Sequence, residues 1–165
     1  MKLIKPSFEI IEQEPGLLGV YKQIELAGRT CYKSEDKITE DSANAFVDKM
    51  YKSNHTAMLE HGTVYLYKQY DSKKAYFEDE FTLHYHENPY SKIIRIRDNQ
   101  DDPQGKQYAY ITTNLRVIVE NGWFDDLQYL SEPTEYHEKR ITVKFICDRG
   151  VSHEFVRHKA IFCVA

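Results

Sequence analysis

Ile141-Thr142-Val143-Lys144-Phe145-Ile146-Cys147, followed by Asp148-Arg149-Gly150-Val151-Ser152-His153-Glu154-Phe155-Val156-Arg157-His158-Lys159, carries the clearest pattern in this 165-residue chain. Ile141, Val143, Phe145 and Cys147 recur at every second position, which puts them on one face of a strand. Asp148-Arg149-Gly150 turns the chain, and Ser152 is placed to cap a helix carrying Arg157, His158 and Lys159. Guanidinium, imidazole and ammonium donors close to a helix start suit an anion, although a basic triplet on a helix is more often a solvated face.

Working back from that strand, the rest of the chain reads as a few strands and separate helices. Residues 2–10 form a first strand. Pro15-Gly16 opens a helix to about Thr30, with Leu17, Tyr21, Ile24 and Gly28 on one stripe. Thr39 or Asp41 caps a second helix to about Lys52, with Ala45, Phe46 and Met50 inward. Gly62 to Tyr67 reads as a strand from its β-branched and aromatic content. Residues 70–107, charged and Tyr-rich, are interrupted by Pro89 and Pro103. They read as an insertion with one strand near Ile93 to Ile96 and a loop at 98–105. Tyr108 to Ile111 reads as a strand, Thr113 or Asn114 as a cap, and Leu115 to Glu120 as a helix closed by Asn121-Gly122. The mixture predicts one α+β domain over 1–165, a mixed or antiparallel sheet packed with helices.

Length and composition bound the function. A 165-residue chain can bury roughly two thirds of its unfolded surface. With 41% hydrophobic and 29% charged residues it has the composition of a soluble globular protein. A net charge of −4 and a pI near 6.0 lack the basic excess of a general nucleic-acid or membrane-surface binder, so any anion must be met by a local cluster. Cys31, Cys147 and Cys163 form no C-x-x-C pair, which points to reduced thiols. No apolar run fits a signal peptide or a membrane span, and the expected location is the cytoplasm.

Three groups of residues carry chemistry. His153-Glu154-x-x-x-His158 resembles a zinc-protease helix, but five residues separate its histidines by about 140° where the motif needs about 40°. His84-x-His86 lacks a third ligand, so no metal site is expected and both are read as solvated surface histidines. Asn54-His55-Thr56-Ala57-Met58-Leu59-Glu60-His61 puts two imidazoles and a carboxylate ahead of a strand, where the carboxylate could fix a tautomer or raise a histidine pKa. A polar turn capped by Glu60 explains the same residues equally well. Arg29, in Gly28-Arg29-Thr30-Cys31-Tyr32, can complement the end of the first helix. Cys31 has no adjacent base and is not read as a nucleophile.

Taken in order, Gly28-Arg29-Thr30-Cys31-Tyr32, then His55-x-x-x-x-Glu60-His61 running into a strand, then a strand and helix ending in Arg157-His158-Lys159, resemble the flavin-dependent thymidylate synthases. The last piece corresponds to that family's R-H-R-x-x-S-x-x-x-x-S-x-R-Y signature. Lys159 stands where the second Arg belongs and Phe162 at the first serine position. The sequence ends before the second serine and the Arg-Tyr pair, which points to an incomplete form of the enzyme.

The resemblance implies a fold of that family's type, with this chain its N-terminal part, and a methyltransferase that makes dTMP from dUMP. Methylenetetrahydrofolate would be the carbon donor, NADPH the reductant and FAD the flavin, in a homotetramer whose sites are shared between subunits. It implies that His55 and Glu60 line the flavin site, that Arg157, His158 and Lys159 contact flavin and nucleotide, with Arg157 and His158 catalytic, and that Glu154 faces the nucleotide. Arg116 is expected as a further phosphate ligand, although the family's comparable Asn-x-Arg follows the signature. A non-catalytic remnant that binds nucleotide or flavin, or serves as an interaction module, is the alternative, and a histidine-based metal hydrolase a more distant one.

Overall fold

The structure, a computed structural model, describes residues 5–70, 79–97 and 106–155. Strand β1 (Ser7–Ile11) leads into helix α1 (Gly16–Cys31) and helix α2 (Ser42–Lys52), and a 3-10 turn at Thr56–His61 feeds strand β2 (Thr63–Tyr70). Helix α3 (Glu80–Glu87) and strands β3 (Lys92–Arg97) and β4 (Gln107–Asn114) follow, then helix α4 (Leu115–Asn121), strand β5 (Thr142–Ile146) and helix α5 (Arg149–Phe155). The fold is α+β. Both sheets are antiparallel: three strands ordered β2-β4-β3, and a two-stranded ribbon β1-β5.

The core forms where α1, α2, α4 and the 56–61 turn meet one face of the larger sheet. Ile24, Leu59, Leu66, Ile111 and Ile118 are all fully buried and belong to one cluster that also takes in Phe46, Phe81 and Tyr85. Alternation along β2 sends Val64 and Leu66 inward and leaves Tyr65 to the opposite face, under the segment that leads to β5. α1 approaches α2 so closely that a Cβ on Gly28 would lie 2.4 Å from Phe46 Cζ. Gly28→Ala should therefore lower stability by about 1–3 kcal/mol, the usual penalty for overpacking, read as a lower urea midpoint with an unchanged slope.

The outer edge of β2 is covered rather than open, which removes a template for unwanted strand pairing. The Gln13 amide group mimics a neighbouring strand: its Nε2 donates to Thr63 O at 2.8 Å and its Oε1 accepts from Thr63 N at 2.9 Å. Ser131 N donates to Tyr65 O at 2.9 Å, and His137 Nε2 donates to Leu66 O at 3.1 Å. His137 Nδ1 accepts from Thr134 N at 3.0 Å, so this buried ring must be neutral to satisfy both contacts.

Burial holds the His137 pKa below its ordinary value, against a smaller opposing contribution from Leu66 O. The unfolded chain therefore binds more protons than the native one, so the stability from the neutral ring is present above about pH 6.5 and is lost as pH falls below it. The urea midpoint should drop between about pH 7.5 and pH 5.5, and His137→Asn should flatten part of that dependence. His61 shifts in the same direction and supplies another part.

The 70–107 segment contains helix α3, whose Phe81 and Tyr85 enter the core. His84 therefore sits on a helix. It is also not solvated: its Nε2 meets Asp126 Oδ2 at 3.1 Å, and its ring stacks on Trp123 at 3.8 Å. The strand expected at 62–67 extends to Tyr70, and the one at 108–111 spans Gln107–Asn114.

On α2 the inward residues are Ala43, Phe46, Val47 and Met50, with Ala45 exposed. Neither Thr39 nor Asp41 caps that helix through its side chain; Ser42 Oγ instead accepts from Thr39 N at 2.9 Å. α5 starts at Arg149, so Ser152 lies inside it, and Asp148 Oδ1 accepts from Val151 N at 3.1 Å in the capping role.

β5 pairs with β1, and Phe8, Phe145 and Ile141 are 69%, 50% and 70% exposed. The alternation in 141–147 was real, but the face it defines lies outside the core. A two-stranded ribbon has no third layer of its own to bury it.

Candidate functional site

The end of α1, the 56–61 turn and α4 come together on one side of the core. Burial of Met58 and Leu59 anchors the turn, so His55, Thr56, Glu60 and His61 around them point toward the surface or its margin. Asn114 Oδ1 accepts from Val117 N at 3.0 Å and caps α4, and Gly122 closes it in the left-handed region at φ 73°. Both features were legible in sequence. Together they set Arg116 and Glu120 on the face of α4 that meets the turn.

At the α1 end, Glu25 is 1% exposed and its carboxylate is fully used. Oε1 accepts from Arg29 Nε and Nη2, both at 3.1 Å, and Oε2 accepts from Ser42 Oγ at 2.8 Å. The Arg29 guanidinium lies 4.9 Å from the centre of the Phe46 ring. Arg29 thus does more than complement a helix end: it neutralises a buried carboxylate and locks α1 to α2. One turn further on, Tyr32 OH and His55 Nδ1 are 2.9 Å apart, which joins the Gly28–Tyr32 motif to the His55–His61 motif.

Arg116 donates Nη1 to Glu60 and Nε to Glu120 Oε1 at 2.7 Å, while Thr56 Oγ1 donates to that same Oε1 at 2.6 Å. The Thr56 hydroxyl, followed by Arg116, holds the Glu120 carboxyl below its usual range. Arg116, expected as a phosphate ligand, is thus engaged by two carboxylates, and Glu60 has an arginine partner. At His61 burial pushes the pKa down, and the neighbouring Glu60 opposes this only in part. Its neutral form is favoured.

His55, Glu60 and Arg116 are therefore brought into one neighbourhood. Glu154 lies exposed on α5. Arg157, His158 and Lys159 fall outside the described residues. Among the described residues no group of three His, Cys, Asp or Glu side chains could hold a metal ion, and no helix is long and apolar enough to cross a membrane. A groove of about 500 Å³ between β1 and the 130–141 segment, lined by Ile10, Gln13, Tyr65, Ser131 and Arg140 among others, contains none of the expected site residues.

Sequence reading missed Glu25, Thr56 and Glu120. The spacing of Glu25 with Arg29 and of Arg116 with Glu120, four apart on helices, was a signal that could have found two of them.

No family profile, curated protein or solved structure matches this chain. Its residues and their geometry carry the functional argument.

Proposed function

We propose that the chain is a flavin-dependent thymidylate synthase in lineage, an enzyme converting dUMP to dTMP with methylenetetrahydrofolate and NADPH. The supporting observation is the 2.9 Å contact between Tyr32 OH and His55 Nδ1. It joins two of the three sequence pieces behind the resemblance, which are otherwise separated by a whole helix.

The donor set fits a flavin in kind. An imidazole, a carboxylate and a guanidinium on one face can hydrogen-bond the polar edge of an isoalloxazine ring, and Glu60 with Arg116 offers both an acceptor and a donor there. Bound FAD would supply the redox chemistry. The chain's own residues would orient the ring: His55 through Nε2, which has no partner among the described residues, and Glu60 held in place by Arg116. Arg157, His158 and Lys159 would add the cations that stabilise negative charge developing on flavin and nucleotide. In this reading Glu154 faces the nucleotide and the homotetramer shares its sites between copies.

The test is turnover. With dUMP, methylenetetrahydrofolate, NADPH and FAD supplied, dTMP formation by the purified chain supports the enzyme. Binding of FAD or dUMP without product supports the second reading, a non-catalytic nucleotide-binding or interaction remnant. That reading is favoured by the occupied state of Arg116.

A further inference from the structure

Glu120 Oε1 sits where an anionic ligand oxygen would sit. It accepts at once from the Arg116 guanidinium Nε at 2.7 Å and from the Thr56 hydroxyl at 2.6 Å. A guanidinium N–H and a hydroxyl converging on one oxygen is a donor pair that binds phosphate as readily as carboxylate. We propose, resting on the reading of Arg116 as a phosphate ligand, that Glu120 is a displaceable carboxylate which occupies this donor pair until a phosphate group takes its place.

The two carboxylates on Arg116 are not equivalent. Glu60 is 19% exposed and sits on the turn anchored by buried Met58 and Leu59. Glu120 is 43% exposed, close to the end of a seven-residue helix, and pairs with Arg116 across a single helical turn. Exposed pairs of that spacing are individually weak, so Glu120 is the partner that leaves. Its departure frees both Nε and the Thr56 hydroxyl while Glu60 continues to hold Nη1. It also changes the formal charge of the Glu60–Arg116–Glu120 group from −1 to 0 if the side chain swings into solvent, removing the local repulsion that otherwise keeps an anion out. Nη2 of Arg116 has no partner among the described residues and is available to complete a bidentate contact.

Calorimetric titration of the full chain with inorganic phosphate at fixed ionic strength tests this. Glu120→Gln should bind phosphate about tenfold more tightly than the unaltered chain, a difference of about 1.4 kcal/mol. Adding Arg116→Gln or Thr56→Val to that variant should remove most of the gain, with circular dichroism showing each variant folded. Equal affinity in Glu120→Gln and the unaltered chain, no phosphate binding by Glu120→Gln, or a gain that survives loss of Arg116 would each overturn the proposal. Parallel titrations with dUMP and with adenosine diphosphate distinguish a nucleotide monophosphate from the diphosphate of a dinucleotide. Phosphate binding needs no flavin. A chain that takes up no FAD yet shows the gain refutes the thymidylate synthase reading alone, and one that takes up FAD without the gain refutes the displacement alone.

Discussion

Glu25→Ala should destabilise the protein by about 3 kcal/mol, the lower end of the range for breaking a buried ion pair. Three hydrogen bonds converge on this carboxylate, from Arg29 Nε, Arg29 Nη2 and Ser42 Oγ. Its removal strands a guanidinium packed over Phe46, and the 19% exposure of Arg29 places the loss at the low end because water can reach part of it. In a protein of this size about 3 kcal/mol corresponds to a fall in melting temperature of roughly 6–12 °C. A double variant, Glu25→Ala with Arg29→Leu, should recover part of the loss, since the unpaired charge is then gone. A loss under about 1 kcal/mol would mean the pair behaves like a surface one and does not lock α1 to α2.

Leu59→Ala should cost about 2–5 kcal/mol, as expected for a large-to-small change at a site with no exposed surface. Leu59 lies inside the His55–His61 motif, and its burial is what turns the flanking polar residues outward. The variant should therefore also loosen the Glu60–Arg116 and Thr56–Glu120 contacts, seen as faster amide exchange across 56–61 and the start of α4. Global destabilisation with the turn still protected would contradict the view that the core positions the site.

The comparison of sequence with structure follows the range of the interactions. The Asn114 cap and the Gly122 stop were legible because a cap is decided within three or four residues. Helix α3 was not, because its helical period is carried mainly by Phe81 and Tyr85 inside a charged, Tyr- and His-rich stretch. The 141–147 alternation predicted a strand correctly. It could not show that the partner would be β1, because pairing is a long-range choice.

The site divides in the same way. The Glu25–Arg29 and Arg116–Glu120 pairs follow the helical repeat, but the contact of Glu60 with Arg116 spans 56 positions and exists only in the folded chain. Tyr32 with His55, 23 positions apart, is equally invisible to periodicity. Glu60 does act to raise the His61 pKa, but burial, which a sequence does not show, outweighs it.

Titration of FAD with the purified chain, followed by quenching of flavin fluorescence, tests the central claim most directly, with Glu60→Ala run alongside. The account predicts saturable quenching by the unaltered chain and at least about tenfold weaker binding by Glu60→Ala, the loss of a charged hydrogen bond worth about 1.5–3 kcal/mol. No saturable quenching, or quenching indifferent to Glu60, would contradict it.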